Sequence, residues 1–170
     1  MKLLVVSDTH GKHARLSGLL DMHADADALI FLGDGLGDLW RADAYQRGMS
    51  VISLKGNCDG FSFFGDDAPT ELCQTVGGFK FFMLHGHTRS LKSGFDKAVA
   101  AAAAREADVV LFGHTHLALE KYLPEGEDVG GTLLKKPLRL FNPGSLGEKG
   151  EFGLIDIRNG QMLMSHGVYK

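Results

Sequence analysis

Seven polar side chains that could bind metal ions follow short apolar runs along this chain. They lie in the motifs Asp8-Thr9-His10, Gly33-Asp34, Gly56-Asn57-Cys58-Asp59, His85-Gly86-His87 and Gly113-His114-Thr115-His116. The candidate ligands are Asp8, His10, Asp34, Asn57, His85, His114 and His116. Carboxylate, amide and imidazole groups bind divalent ions of the Mn, Fe, Ni or Zn type. Seven ligands are too many for one tetrahedral ion, so we predict two ions, which a carboxylate can bridge.

The apolar runs before the motifs predict the strands that position these side chains. We predict strands at residues 3–6, 28–32, 50–54, 79–84 and 109–112, with helices at 15–23, within 36–48 and at 93–106, the last capped by Ser93. The strand–helix–strand order at the start is typical of a βαβ unit. In open α/β sheets, sites form beyond the carboxyl ends of the strands, so we expect the motifs to converge there.

The residue pattern of the C-terminal third differs from that of the preceding residues and predicts antiparallel strands. These are residues 118–123, 131–134, 139–141, 152–157 and 162–166, with 124–131 as an exposed loop. Asn159-Gly160 predicts a tight hairpin turn, as Gly77-Gly78 does between strands at 72–76 and 79–84. We therefore expect two packed sheets flanked by helices.

Composition narrows the class of protein. The chain has 170 residues, which we interpret as one domain spanning 1–170, and its net charge of −3 provides no basic field for stable nucleic-acid binding. Two cysteines give no disulfide framework, and we expect a cytoplasmic protein. No apolar stretch reaches transmembrane length, so we expect no membrane association. Sheet edges in the β-rich third favour a homo-oligomer.

The five motifs together resemble those of the calcineurin-like metallophosphoesterase superfamily. The short chain, Gly56-Asn57-Cys58-Asp59 and Asn142-Pro143-Gly144-Ser145 are most similar to its small single-domain phosphodiesterase branch. The resemblance implies an α/β fold, a four-layer α-β-β-α sandwich of two mixed sheets flanked by helices. It also implies that Asp8, His10 and His116 hold one ion, that Asn57, His85 and His114 hold the other, and that Asp34 bridges both.

The resemblance also suggests catalytic roles for three neighbouring residues. Cys58 stands where many relatives have a histidine that assists the leaving oxygen, and a thiol is a weak substitute; the alternative is a small packed side chain. His87 either contacts the substrate phosphate or supports a ligand. Asp59 is expected to orient a ligand histidine. Three aromatics, Phe61, Phe63 and Phe64, could stack on a nucleobase, contact another subunit or pack under their own loop.

The predicted function is that of a dinuclear metal-dependent phosphodiesterase, a hydrolase that cleaves a P–O bond with a bridging hydroxide. We expect manganese as the ion, with nickel, iron or zinc as alternatives, and a small phosphodiester or nucleotide-like substrate. Two alternatives remain open: a phosphomonoesterase on the same site, and a non-catalytic protein-binding scaffold of the same fold, as in the retromer complex. The scaffold's metal site is impaired, whereas all seven positions here can bind metal, which favours an enzyme.

Overall fold

A computed structural model of the chain describes residues 1–60 and 67–170. Its strands, numbered in chain order, are β1 Lys2–Val6, β2 Ala28–Phe31, β3 Ser50–Ser53, β4 Glu71–Val76, β5 Phe79–Leu84, β6 Val109–Phe112, β7 Leu119–Leu123, β8 Asp128–Val129, β9 Thr132–Leu133, β10 Leu138–Asn142, β11 Glu151–Arg158 and β12 Gln161–Val168. The α-helices are α1 His13–Met22, α2 Leu36–Arg41, α3 Asp96–Ala104 and α4 Leu146–Lys149, with 3-10 turns at Ala44–Gln46 and His87–Arg89. The predicted Phe61, Phe63 and Phe64 cluster lies outside the described residues.

Two five-stranded mixed sheets form the two middle layers. Their strand orders are β12-β11-β1-β2-β3 and β4-β5-β6-β10-β7. Strand β1 is apolar after Lys2 because both of its faces are buried. Leu4 packs toward helices α1 and α2, and Val5 packs between the sheets with residues such as Phe81. On the far side, Phe82 packs with Val99 of α3. These three apolar layers confirm the predicted α-β-β-α sandwich.

The parallel strands explain why the motifs converge. Strands β1, β2 and β3 run parallel in the first sheet, and β5, β6 and β10 run parallel in the second. Each motif follows the carboxyl end of one of these strands. The polar turns are therefore brought to one end of the sandwich, where sites of α/β sheets form.

The C-terminal strands differ in part from the prediction. The hairpin β11–β12 is confirmed, and its turn at Asn159-Gly160 has φ angles of 52° and 74°. Strand β10, however, pairs parallel with β6 as well as antiparallel with β7. The prediction that all strands of the C-terminal third are antiparallel was therefore wrong. Part of the predicted loop at 124–131 forms β8, which pairs with β9. Local patterning does not show which distant strand a segment pairs with.

Two helices also depart from the prediction. Helix α3 begins at Asp96 after Phe95, not at Ser93, because Gly94 takes a φ of 153° that breaks the helical path. Helix α4 was not predicted. Among the described residues, no helix has the length and apolar character needed to cross a membrane.

Candidate functional site

Asp8, His10 and His116 form one group of converging donors. The Nε2 atom of His116 lies 3.1 Å from Asp8 Oδ1 and 3.3 Å from His10 Nε2. Asp8 Oδ2 accepts a hydrogen bond from the His114 backbone N–H, but the buried Oδ1 accepts none from any described residue. A buried carboxylate oxygen without a hydrogen-bond donor is costly unless a cation balances it. This group therefore suits a metal ion.

Asp34, Asn57 and His85 form a second group. The Nε2 atom of His85 lies 3.2 Å from Asn57 Oδ1 and 3.3 Å from Asp34 Oδ2. Its Nδ1–H donates to the Leu32 carbonyl at 2.8 Å, so in the neutral ring Nε2 is an acceptor that faces two further acceptors. Three electron-rich atoms in one place also suit a cation.

Asp34 lies between the two groups. Its Oδ2 is 3.3 Å from His85 Nε2 in the second group and 3.9 Å from His10 Nε2 in the first. Its Oδ1 accepts a hydrogen bond from the Cys58 backbone N–H at 2.7 Å, which fixes the orientation of the carboxylate. Asp34 is thus placed to contact ions in both groups.

Charge and burial shift the acidity of these side chains. Burial opposes ionisation of Asp34, but hydrogen bonding to His85 and to Cys58 outweighs it and holds the Asp34 pKa well below its usual range. Burial also lowers the pKa of His85, yet the carboxylates of Asp34 and Asp8 raise it overall. Both shifts show that the buried aspartates favour positive charge at this point, which a proton or a divalent ion can supply.

His114 and His87 lie on one side of His85. The His114 ring centroid is 5.1 Å from that of His85, and the His87 centroid is 5.5 Å from it. Burial, together with the neighbouring His85, lowers the pKa of His114 to about 4, so this ring is neutral, as a metal ligand must be. The donor atoms of His114 lie outside the two close groups, although the His114 ring belongs to the same cluster of side chains.

Five of the seven candidate ligands have a left-handed backbone. They are Asp8, His10, Asp34, His114 and His116, with φ between 45° and 64°. Such conformations are uncommon outside glycine and gather at functional sites. Close packing imposes a further requirement at Gly56, where an added Cβ would lie 2.1 Å from Asp34 Oδ1 and 2.5 Å from Asp34 N. Only glycine fits there without displacing Asp34.

Asp59 supports the backbone rather than a histidine ring. Its carboxylate accepts hydrogen bonds from four backbone N–H groups, those of Asp34, Gly35, Leu36 and Gly56, at 2.7–2.9 Å. The sequence predicted that Asp59 orients a ligand histidine; instead it holds the loop that carries Asp34. It also satisfies N–H groups at the start of α2, which the helix itself cannot satisfy.

Cys58 lies at the exposed side of the groups. Its Sγ accepts a hydrogen bond from Asn57 Nδ2 at 3.2 Å and is within reach of the same point as His10 and Asp34. Burial and hydrogen bonding to the Asp34 carboxylate raise the Cys58 pKa to about 11. The thiol is therefore protonated and next to the candidate metal centre.

Glu148 was missed by the sequence interpretation. Its Oε1 accepts a hydrogen bond from His116 Nδ1–H at 2.8 Å, which turns Nε2 toward Asp8. Histidines that bind metal usually donate their other N–H in this way. The pattern Ser145-x-x-Glu148 is the start signal of a capped helix, and the Glu148 N–H does donate to Ser145 Oγ. That signal could have predicted α4 and with it the position of Glu148.

The Asn142–Ser145 segment joins two of the motif loops. Asn142 Nδ2 donates to the Gly113 carbonyl and to Thr115 Oγ1, and Ser145 Oγ donates to the Asp8 carbonyl. Both residues are fully buried. The segment therefore holds the loop of Asp8 against the loop of His114 and His116.

Comparisons with known proteins agree with this arrangement. The family model for the calcineurin-like phosphoesterase superfamily domain matches residues 1–167. The probable metallophosphoesterase YsnB of Bacillus subtilis is 32% identical over 147 residues, covering 86% of this chain and 75% of YsnB. Phosphodiesterase YfcE of Escherichia coli is 28% identical over 182 residues, covering 92% and 88%. The solved structure of Vps29 from Chaetomium thermophilum has a TM-score of 0.68 at 18% identity, covering 98% and 94%, and shows likeness of fold.

Proposed function

Because the chain belongs to the calcineurin-like phosphoesterase superfamily, we propose that it is a phosphodiesterase with a centre of two divalent metal ions. The observation that supports this most strongly is the position of Asp34 Oδ2, 3.9 Å from His10 Nε2 and 3.3 Å from His85 Nε2. Asp34 thereby joins two groups of ligands, which lie close together, since Asp8 Oδ1 is also 3.9 Å from His85 Nε2. Such an arrangement is expected of a two-metal site.

The seven ligands divide into two sets. Asp8, His10 and His116 would hold one ion, Asn57, His85 and His114 the other, and Asp34 both. When bound, the ions supply Lewis-acid chemistry: they neutralise charge on phosphoryl oxygens and lower the pKa of water. We propose manganese as the native ion, with nickel, iron or zinc as alternatives.

The chain's own residues supply preorganisation. Leu32 and Glu148 fix the Nδ1–H groups of His85 and His116, so that both Nε2 atoms face inward without rearrangement. Asp59 holds the backbone of Asp34. His87, beside His85 and outside the close groups, is placed either to contact a phosphoryl oxygen or to support the ligand ring. Cys58 is placed beside Asp34, where it would face a departing oxygen.

The type of phosphate ester that is cleaved distinguishes the proposed phosphodiesterase from a phosphomonoesterase. The likeness to YfcE, which is named a phosphodiesterase, supports a diester. A phosphomonoesterase would use the same ligands, and a binding scaffold would need none of them. The buried, unpaired Asp8 Oδ1 favours a site that holds a cation over one that holds none.

Hydrolysis assays with matched substrates test the proposal. We expect metal-free protein to hydrolyse bis(p-nitrophenyl) phosphate only after Mn²⁺ is added, to lose this activity with a chelator, and to cleave p-nitrophenyl phosphate more slowly. Faster cleavage of the monoester would support the phosphomonoesterase instead. If Mn²⁺ produces hydrolysis of neither ester, the scaffold is the better account.

We propose a single domain that works in the cytoplasm as a homo-oligomer. Strand β12 is the outer strand of its sheet, and its eight residues include none of the charged residues that protect sheet edges, so it could pair with another copy. Light scattering that shows only monomers at high concentration would contradict the oligomer.

A further inference from the structure

A cavity opens beside the candidate metal centre. Its volume is about 460 Å³, and His10, Asp34 and Cys58 line one side of it. This volume lies within the range of pockets that bind whole small molecules, so the site has room for more than one phosphoryl group. The space beyond the ligands is large enough to receive another part of a substrate.

Two of the glycines that line this cavity leave open space beside the backbone. Gly11 and Gly37 both line it, and, apart from adjacent residues and the backbone of α2 itself, no described residue lies within 4 Å of the position that a Cβ would take at either glycine. A ligand can therefore approach the chain closely at these two points. Gly37 belongs to α2, and glycine within a helix is otherwise less favourable than alanine.

Arg41 is the only arginine or lysine among the described residues that line the cavity. It follows Gly37 by one helical turn, so the two residues lie on the same side of α2. No described carboxylate forms an ion pair with its guanidinium. The nearby acids are occupied: Asp38 accepts from Thr9 and Gly11, and Asp59 accepts from backbone N–H groups. The Arg41 guanidinium is thus available to a ligand.

We propose that this cavity is a specificity subsite in which Arg41 binds a second phosphate of the substrate, away from the phosphorus that is attacked. A guanidinium recognises phosphate through paired hydrogen bonds, which carboxylate and imidazole side chains do not provide. The inference rests on the proposed function and narrows it to diesters that carry a further phosphate group, as in a phosphorylated nucleotide ester.

Two thymidine esters test the subsite by hydrolysis. Thymidine 5′-(p-nitrophenyl phosphate) and its 3′-phosphorylated form differ only in the second phosphate. We expect kcat/KM to be about tenfold higher for the phosphorylated form. Arg41→Gln should bring the ratio of the two values close to one, and Arg41→Lys should retain part of it. Arg158→Gln is the matched control, because Arg158 lies on β11 beyond the start of β1, at the other end of the sheet.

A variant at Gly37 tests whether the substrate enters the cavity. Gly37→Leu places a side chain into the open space and suits a helix better than glycine does. We expect it to lower kcat/KM for the thymidine esters relative to methyl p-nitrophenyl phosphate. An unchanged ratio would show that the substrate does not enter this cavity.

Binding provides a readout that does not need hydrolysis. Trp40 is the only tryptophan in the chain, precedes Arg41 and is 51% exposed, so its fluorescence should respond to a ligand at Arg41. We expect thymidine 3′,5′-bisphosphate to bind more tightly than thymidine 5′-monophosphate in the presence of Mn²⁺, and Arg41→Gln to remove the difference. If this preference is seen but no diester is hydrolysed, the subsite stands and the phosphodiesterase assignment fails. If diesters are hydrolysed and neither ratio depends on Arg41, the subsite is wrong and the assignment stands.

Discussion

Replacing Asp59 by asparagine should destabilise the protein more than its small chemical change suggests. Both carboxylate oxygens of Asp59 are used: Oδ1 accepts from the N–H groups of Gly35 and Leu36, and Oδ2 from those of Asp34 and Gly56. The asparagine side chain would keep one oxygen and present an –NH₂ group to two N–H donors. At about 1.5–3 kcal/mol for each hydrogen bond to a charged group, the two lost bonds predict a decrease of about 3–6 kcal/mol in the free energy of unfolding.

Asp38→Asn is the matched control for this prediction. Asp38 is also buried, but both of its contacts, with Thr9 Oγ1 and the Gly11 N–H, use the single atom Oδ2. An asparagine oxygen can accept both, so we expect a loss of only about 1 kcal/mol. The two substitutions are alike in burial, residue type and charge change, and they differ in how many carboxylate oxygens and hydrogen bonds are involved.

Urea denaturation of the metal-free proteins measures the effect. The midpoint and slope give the free energy of unfolding for each variant. A second measurement, competition with a chelator, should show about 10–100-fold weaker metal binding for Asp59→Asn, because Asp59 accepts a hydrogen bond from the backbone N–H of Asp34, the proposed shared ligand. If Asp59→Asn loses no more stability than Asp38→Asn, the proposed clamp on the Asp34 loop is wrong.

Variants at four further positions test the site itself. Asp34→Asn should reduce kcat for bis(p-nitrophenyl) phosphate more than His87→Ala does, because Asp34 serves both ligand groups; equal losses would argue against bridging. Glu148→Ala should weaken metal binding about 10–100-fold, measured by chelator competition, and Glu148→Gln should restore part of it by accepting from His116. Cys58→His should flatten the dependence of rate on leaving-group pKa, since general-acid help is worth about 10²–10⁴-fold. If neither Cys58→His nor Cys58→Ala changes that slope at constant metal content, Cys58 is a packing residue.

The sequence predicted the strands and the convergence of the motifs because both depend on local patterns. A run such as Leu3–Val6 is apolar on both faces, which only a doubly covered strand requires, and the polar turn after it must then lie at the strand's carboxyl end. The convergence of these polar turns then follows from the topology, because parallel strands end at the same edge of a sheet. The groups around Asp8 and around His85 were thus brought together as expected.

Other features depended on contacts that a local pattern does not contain. The parallel pairing of β10 with β6 is made between segments about thirty residues apart, and its partner is chosen by the whole second sheet. The role of Asp59 depended on which groups a folded loop leaves unpaired, and here these were four backbone N–H groups rather than a ring nitrogen. Arg41 belongs to no motif, and only the folded structure shows that it lines the cavity beside α2.

A titration of metal-free protein with Mn²⁺ tests the central claim most directly, with bound metal and hydrolysis of bis(p-nitrophenyl) phosphate followed together. The proposed set of seven ligands shared through Asp34 predicts that activity rises to a plateau at two bound ions per chain and disappears when a chelator removes them. A plateau at one ion, or hydrolysis that does not depend on bound metal, would contradict the two-metal phosphodiesterase.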